Sequence, residues 1–126
     1  MMNDTKESQQ AVTSRPNVYV TQIPSRRDKE TGAVVPIYNV SPASEHGTIK
    51  VLMPSGVNFY ATGDLVRQAK EALKDYSYEN GDCIICIGDP AIIAVCISVV
   101  ARKNAKFSIL KWDRIVSRYV KIDVSL

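Results

Sequence analysis

The sequence predicts an α/β (α+β) fold, with a single small mixed β-sheet and two helices in the order β-β-β-α-β-α-β-β. Short alternating apolar runs predict strands, two longer apolar or amphipathic segments predict helices, and two closing strands predict a C-terminal antiparallel hairpin. The chain has 126 residues, 45% hydrophobic and 23% charged, which suits one globular domain. We expect that domain at residues 17–126, after a polar, flexible N-terminal tail at residues 1–16.

Three strands are predicted in the first half of the chain. Residues 17–23 alternate between apolar and polar side chains, and residues 34–40 and 48–53 are also strand-like. Pro36 lies inside the second run, which predicts an edge strand or the start of a strand. The charged residues 25–32 and the segment 41–47 are predicted to be loops.

Residues 61–76 form the clearest predicted helix, because their apolar side chains recur with a period of 3.6. Thr62 is the predicted N-cap of this helix. A second helix is predicted at residues 91–103, opened by Asp89 as N-cap and Pro90 as the first helical residue. It is apolar almost all round, so both of its sides should be buried, and Asn104 should end it in a left-handed conformation.

The remaining predicted strands lie around this second helix. Residues 83–88 are apolar throughout, as in a central strand covered on both faces. Residues 106–112 and 118–124 are the two strands of the predicted hairpin. The strand at 83–88, the second helix and the strand at 106–112 form a right-handed parallel crossover. If both helices cover the same face of the sheet, the outer side of the second helix is exposed and predicts a homo-oligomer.

Positive charge is concentrated at the C-terminal end. Residues 1–100 contain nine basic and eleven acidic side chains, whereas residues 101–126 contain seven basic and two acidic ones. A local positive field attracts phosphate groups or an acidic partner surface. Lysine and arginine on an edge strand also prevent aggregation, so this interpretation stays open beside the first.

The cysteines indicate buried free thiols rather than a metal or redox site. Cys83 and Cys86 lie three apart in a predicted strand, where they point to opposite faces, and Cys96 is the third and last. A zinc site needs four nitrogen or sulfur ligands, and a single histidine cannot complete it. We therefore predict no metal and no cofactor. Reduced thiols, the lack of an apolar leader and apolar runs too short to cross a bilayer predict a cytosolic protein without a membrane partner.

The C-terminal hairpin is the strongest candidate binding site, because it combines cations with aromatic side chains. Such a β-surface can stack bases and neutralise phosphates, or bind an acidic protein partner. A structural role for the tryptophan in the core is the alternative. The residues that define this surface are Lys111, Trp112, Arg114, Arg118, Tyr119 and Lys121.

Three further positions are weaker candidates. Asp89 follows a central strand, where α/β sheets bind ligands, but capping explains it equally well. His46 is the only histidine, so histidine-dependent catalysis would have to use it, although a loop position is the alternative. Arg26 and Arg27 could clamp a phosphate or carboxylate, or simply lie in a solvated loop.

Several segments resemble small uncharacterised proteins of tailed bacteriophages, notably marine ones. The resemblance is carried by IGDPAII at residues 87–93, LKWDR at 110–114 and RYVKI at 118–122, and it covers most of residues 17–124. No chemistry is assigned to such proteins, so the resemblance implies no catalytic residues. It implies a small viral protein that acts on host or phage machinery by binding.

The function we predict is therefore a non-enzymatic phage protein that is oligomeric and acts in the host cytoplasm through contacts with a host or phage protein. Three alternatives stay open. The chain could bind nucleic acid through the basic hairpin, be a component of the virion or its assembly, or be a small enzyme that uses Asp89 and His46.

Overall fold

A computed structural model of the chain describes residues 15–54 and 62–126. The predicted N-terminal tail lies outside the described residues, apart from Arg15 and Pro16. The proposed capping side chain of Thr62 lies outside them as well. Pro16 already contacts the fold, because its carbonyl oxygen accepts a hydrogen bond of 2.8 Å from the Thr48 N–H.

Five strands form one mixed sheet and two helices pack on it, which confirms the predicted fold class. In sheet order the strands are β4 (Thr48–Met53), β1 (Asn17–Gln22), β5 (Cys83–Ile85), β6 (Lys106–Asp113) and β7 (Arg118–Ser125). The strands β4, β1, β5 and β6 are parallel to one another. The pair β6 and β7 is antiparallel and forms the predicted C-terminal hairpin.

The interior strand β1 is buried because apolar side chains cover both of its faces. Val18 lies opposite Cys83 and Val20 opposite Ile85, and these four residues belong to the core on one face. Tyr19 points to the other face, where it packs among the helices. Because side chains alternate along β1, its residues contribute to two separate cores, one on each face of the sheet.

The two helices lie on the same face of the sheet, because the two crossovers that contain them run across the sheet in the same direction. The connection from β1 to β4 moves across the sheet in one direction, whereas β4 to β5 and β5 to β6 move in the other. Right-handed crossovers therefore put helix α1 (Thr62–Ala72) and helix α2 (Pro90–Lys103) on one face. A short 3₁₀ helix (Ser41–Glu45) contributes Ala43 to the core on the opposite face.

Helix α2 begins as predicted and differs at its end and outer side. Asp89 caps it, because its Oδ1 accepts a hydrogen bond of 2.8 Å from the Ala91 N–H. Asn104 is extended rather than left-handed, since its side-chain amide donates to the Val100 carbonyl and ends the helix without a positive φ. The prediction that both sides are buried is wrong, because both helices cover the same face and leave Ala94 and Ser98 exposed.

The charged segment after β1 is not simply a loop. Strand β2 (Ser25–Arg27) pairs with strand β3 (Val34–Pro36) in a small antiparallel ribbon separate from the main sheet. The predicted strand at 34–40 is therefore shorter, and Pro36 lies in a two-stranded ribbon in which every strand is an edge. The predicted loop at 41–47 contains the 3₁₀ helix instead.

Two elements end earlier than their patterns predict. The helix predicted at 61–76 ends at Ala72, because the following turn tightens and the Tyr76 N–H bonds to the Leu73 carbonyl. Tyr76 stays buried, and its hydroxyl donates to the Asp82 carbonyl and accepts from the Ser108 N–H. The central strand predicted at 83–88 ends at Ile85.

Candidate binding cleft at the C-terminal hairpin

The hairpin formed by β6 and β7 extends beyond the strand beside it. Ile84 lies opposite Ile109, and β5 ends one residue later, whereas β6 continues to Asp113. The last residues of β6 therefore have β7 on one side and no strand of the described chain on the other. A cleft of about 600 Å³ occupies this position at the carboxyl ends of the parallel strands.

The backbone of β6 presents hydrogen-bonding groups to this cleft. The Leu126 N–H donates to the Ala105 carbonyl, which makes these two residues a hydrogen-bonded pair of the hairpin. Bonded pairs alternate along an antiparallel ladder, so Lys111 also bonds to β7. The backbone groups of Leu110 and Trp112 consequently point away from β7. The Leu110 N–H still meets the Ile84 carbonyl of β5, because Ile84 lies opposite Ile109, whereas the groups of Trp112 lie beyond the end of β5.

The cleft is mainly apolar, with an aromatic pair in its wall. The rings of Trp112 and Tyr119 meet edge to face, with centroids 5.1 Å apart and planes at 72°. Trp112 stays 42% exposed, and burial raises the pKa of Tyr119 above its usual value. The lining residues are Tyr38, Asn39, Ile85, Cys86, Ile87, Ile109, Leu110, Lys111, Trp112, Tyr119 and Ile122.

The basic residues of the hairpin fall into two groups. The Arg118 guanidinium lies 3.1 Å from Glu45 Oε1, and the Lys121 ammonium donates to the Gly81 carbonyl at 3.2 Å. Lys111 and Arg114 have no ion pair within the described residues. Among the described residues that line the cleft, Lys111 alone is charged. Positive charge without an ion pair is therefore present at the cleft and at the hairpin tip, and Lys106 at the other end of β6 also has no ion pair within the described residues.

The tip of the hairpin presents apolar side chains to solvent. Asp113 Oδ1 accepts hydrogen bonds from the Ile115 N–H at 2.8 Å and the Val116 N–H at 3.4 Å, which fixes the turn. Ser117 completes the turn with a φ of 51°. Ile115 is 94% exposed as a result. Ile115 does not line the cleft, and a single exposed apolar side chain of this kind is common on protein surfaces.

His46 anchors the hairpin. Its Nε2–H donates to the Tyr119 carbonyl at 3.0 Å, and the same nitrogen lies 3.3 Å from Glu45 Oε1. Since Glu45 also holds Arg118, the end of the 3₁₀ helix fixes the start of β7 through two neighbouring contacts. The structure thus brings His46 to the candidate hairpin, a proximity that the sequence did not indicate.

Asp89 is placed elsewhere, as part of a filled crevice between β1 and β5. Its side chain caps α2, and its N–H donates to Gln22 Oε1 at 3.0 Å. Gly88 packs so closely against Gln22 that a Cβ atom there would lie 2.6 Å from Gln22 Oε1. The crevice where α/β sheets bind ligands is therefore occupied by the chain's own glutamine. The residues that line the hairpin cleft include neither Asp89 nor His46.

Arg26 and Arg27 lie on the separate ribbon, where both are exposed. The Arg27 guanidinium donates to the Gly32 carbonyl at 2.9 Å and thereby supports the ribbon turn. Neither arginine lines the cleft. The segment that follows the ribbon does contribute to it through Tyr38 and Asn39, and no pattern in the sequence marked these two residues.

The three cysteines are free thiols, and burial governs their chemistry. Cys83 belongs to the core on one face, while Cys86 packs on the opposite face, as their spacing predicted. Burial raises the pKa of Cys83 and of Cys96 to about 11, and it raises the pKa of Cys86 as well. In residues 15–54 and 62–126, no three His, Cys, Asp or Glu side chains are grouped as metal ligands.

Comparison with known proteins identifies a family. Residues 16–126 match the family model described as Phage Pam3 gp32-like protein. No curated protein and no solved structure matches the chain. Among the described residues, no helix has the length and apolar character needed to cross a membrane.

Proposed function

The chain belongs to the Phage Pam3 gp32-like protein family, and we propose that it is a non-enzymatic phage protein that binds an extended segment of a partner protein in the hairpin cleft. The observation that carries the proposal is the cleft beyond the end of β5, with its aromatic wall and the charged side chain of Lys111 in its lining. A volume of about 600 Å³ lies within the usual range of about 300–1,000 Å³ for ligand pockets.

The backbone of β6 supports an extended ligand. Trp112 directs its N–H and C=O groups towards the space that β5 leaves open. A segment of another protein can add to the sheet there as a short strand, with main-chain hydrogen bonds supplying affinity. Its alternate side chains would enter the cleft against Trp112 and Tyr119, which supply the specificity.

The charges at the cleft favour an acidic segment. Lys111 lines the cleft and Arg114 lies at the hairpin tip, and neither is neutralised by an ion pair within the described residues. Charge complementarity of this kind contributes mainly to association rate and specificity. The partner segment we propose therefore alternates apolar residues and carries aspartate or glutamate at its ends.

Nucleic-acid binding through the hairpin is less well supported. Two of its cations, Arg118 and Lys121, are engaged by Glu45 and by the Gly81 carbonyl. Trp112 meets Tyr119 edge to face, so the aromatic pair does not offer two parallel stacking surfaces. Fewer free cations and no stacking platform favour a protein segment as the occupant.

The same contacts support a role without catalysis. Asp89 caps a helix and His46 holds the hairpin, so both of the candidate catalytic residues have a structural use. We place the action of the protein in the host cytoplasm, where its three thiols stay reduced. Mass spectrometry of purified particles tests this location, since recovery of the chain in virions would make it an assembly component instead.

A defined peptide pair tests the proposed function. One fluorescent peptide of seven residues alternates apolar side chains with aspartate at both ends, and the matched peptide has lysine at those ends. Fluorescence anisotropy with the full chain should show about tenfold tighter binding of the acidic peptide, with a difference that shrinks as salt is added. Equal binding of both peptides, or binding of neither, would contradict the proposal.

Two variants and a competing ligand complete this test. Trp112→Ala should weaken the acidic peptide by about 30-fold, as expected for a central aromatic contact. Ile115→Ala is the control, because Ile115 is exposed and does not line the cleft. Tighter binding of single-stranded DNA than of the acidic peptide, falling steeply with salt, would favour the nucleic-acid alternative and refute this one.

A further inference from the structure

Strand β7 is the edge of the sheet, and its outer side is open to a partner. It spans Arg118–Ser125 and pairs only with β6 among the described residues. Native proteins usually block such an edge with charged side chains, bulges or short strands. Here the edge is eight residues long and has no proline.

The charged residues of β7 that could block the edge are drawn towards the chain's own body. Arg118 pairs with Glu45, and Lys121 reaches back to the Gly81 carbonyl. On the opposite face of the strand, Val120 and Ile122 are 40% and 43% exposed. The edge therefore combines available backbone groups with half-exposed apolar side chains.

The hairpin ladder decides which backbone groups are available. Because Leu126 and Ala105 form a hydrogen-bonded pair, the even-numbered residues of β7 bond to β6. The N–H and C=O groups of Lys121 and Asp123 point outwards instead. The contact of His46 with the Tyr119 carbonyl agrees with this alternation, because Tyr119 is also odd-numbered.

We infer that the outer edge of β7 pairs with β7 of a second copy of this chain, antiparallel and across a two-fold axis at Ile122. In this register Lys121 lies opposite Asp123 of the second copy, and the outward backbone groups of both residues meet. To form the ion pair, the Lys121 ammonium exchanges the Gly81 carbonyl for the Asp123 carboxylate, whose Oδ1 keeps its 2.6 Å hydrogen bond from the Ser108 hydroxyl. Val120 lies opposite Val124 of the second copy on the other face. Opposite charges and apolar pairs directly across a ladder stabilise it.

The neighbouring registers are disfavoured by like charges. The outward N–H and C=O groups belong to the odd-numbered residues of β7. They can bond across the interface only in registers that place odd-numbered residues of the two copies opposite each other. A shift to one side puts Lys121 opposite Lys121 of the second copy, and a shift to the other puts Asp123 opposite Asp123. Like charges directly opposite each other destabilise a strand pair. His46 limits the new ladder at its end, since it already occupies the Tyr119 carbonyl.

The strand edge also suits a second copy better than the outer side of the helices does. The groove between α1 and α2 contains small and apolar residues, but three cations line it: Lys70, Arg102 and Lys103. A two-fold contact through this groove would bring positive charges together. The pairing of β7 carries no such penalty, and it requires no occupant in the hairpin cleft, so it stands independently of the proposed function.

Cysteine scanning tests the two-fold register. Ile122→Cys should form a covalent dimer under mild oxidation, because non-hydrogen-bonded neighbours in an antiparallel pair lie about 4.5 Å apart between Cα atoms. Val120→Cys alone should give a yield of covalent dimer at least about tenfold lower than Ile122→Cys. Val120→Cys combined with Val124→Cys should restore cross-linking, because these two positions lie opposite each other. The unsubstituted chain controls for the native thiols. Equal yields from Ile122→Cys and Val120→Cys would overturn the register.

A charge reversal tests the pairing without oxidation. In sedimentation velocity the chain should dimerise, and Lys121→Asp should raise the dimer Kd about tenfold. Lys121→Asp combined with Asp123→Lys exchanges the two charges and should restore the affinity. Far-UV circular dichroism shows that each variant is folded. A monomer at every concentration up to about 100 μM, or a dimer that Lys121→Asp leaves unchanged, would refute the inference.

Discussion

Replacement of Asp82 by alanine should remove a large part of the stability of the fold. Asp82 is only 1% exposed, and it lies immediately before the central strand β5. Its Oδ1 accepts a hydrogen bond of 2.8 Å from the Asn17 N–H, and its Oδ2 accepts one of 3.0 Å from the Ser77 N–H. The carboxylate thus joins the first residue of β1 to the turn that leads into β5.

The expected size follows from the groups that the substitution leaves without a partner. Asp82→Ala removes the acceptor for two part-buried backbone N–H groups, and each such loss costs about 1–3 kcal/mol. We therefore expect the free energy of unfolding to fall by about 2–6 kcal/mol, against a total of about 5–15 kcal/mol for a typical domain. Asp82→Asn keeps one oxygen acceptor and should cost less.

Urea unfolding, followed by the fluorescence of Trp112 and by far-UV circular dichroism, measures this loss. The midpoint should shift while the dependence on urea stays constant, because the surface exposed on unfolding is unchanged. Glu79→Ala is the matched control: Glu79 is an exposed acidic residue in the same turn, so its loss should change stability by less than about 0.5 kcal/mol. A loss for Asp82→Ala no larger than that of Glu79→Ala would refute this reasoning.

Two further changes should affect stability in defined ways. Gly88→Ala should lower the free energy of unfolding by about 2–4 kcal/mol in thermal or urea unfolding, because Gly88 has a φ of 101° and its new Cβ would collide with Gln22. Gly32 also has a positive φ, but no atom lies within 4 Å of the position of its new Cβ, so Gly32→Ala is the control. An equal loss of stability in both variants would contradict the collision with Gln22. Burial raises the pKa of Cys83 and Cys96 to about 11 from a usual 9.0, so unfolded thiols ionise first and stability should fall as the pH rises between these values. A urea midpoint that stays constant across this range would rule out both thiols as the cause, and a fall just as steep in Cys96→Ala would rule out Cys96.

The elements that the sequence predicted well are those whose signal is local. The Asp89-Pro90 pair marks a helix start by capping and by its fixed backbone angle, and the structure has both. The alternation in Arg118–Ser125 likewise produced the hairpin strand with the correct pairing of faces. Such signals depend on neighbouring residues alone, so no knowledge of the tertiary structure is needed.

The features that the sequence did not predict depend on contacts between distant residues. The apolar run at 83–88 gives no sign that the strand ends at Ile85, because beyond it the Ile87 N–H bonds to the Thr21 hydroxyl, on a residue distant in sequence, instead of to a backbone group of β1. The cleft exists because β5 ends early, so the sequence did not predict it. Trp112 and Tyr119, which line it, were predicted as binding residues. His46 was judged a loop residue for the same reason, since its partner at Tyr119 is far along the chain.

The position of β1 in the sheet has a consequence for synthesis of the chain on the ribosome. β1 is made before β4 and β5, yet it lies between them and is buried from both sides. Its pairing with β5 joins Val18 to Cys83, so the apolar strand must wait until translation has reached β5. Contacts over such a separation slow folding and leave the early strand open to misassociation. The hairpin, by contrast, needs only adjacent residues, so its two strands can pair soon after they are made.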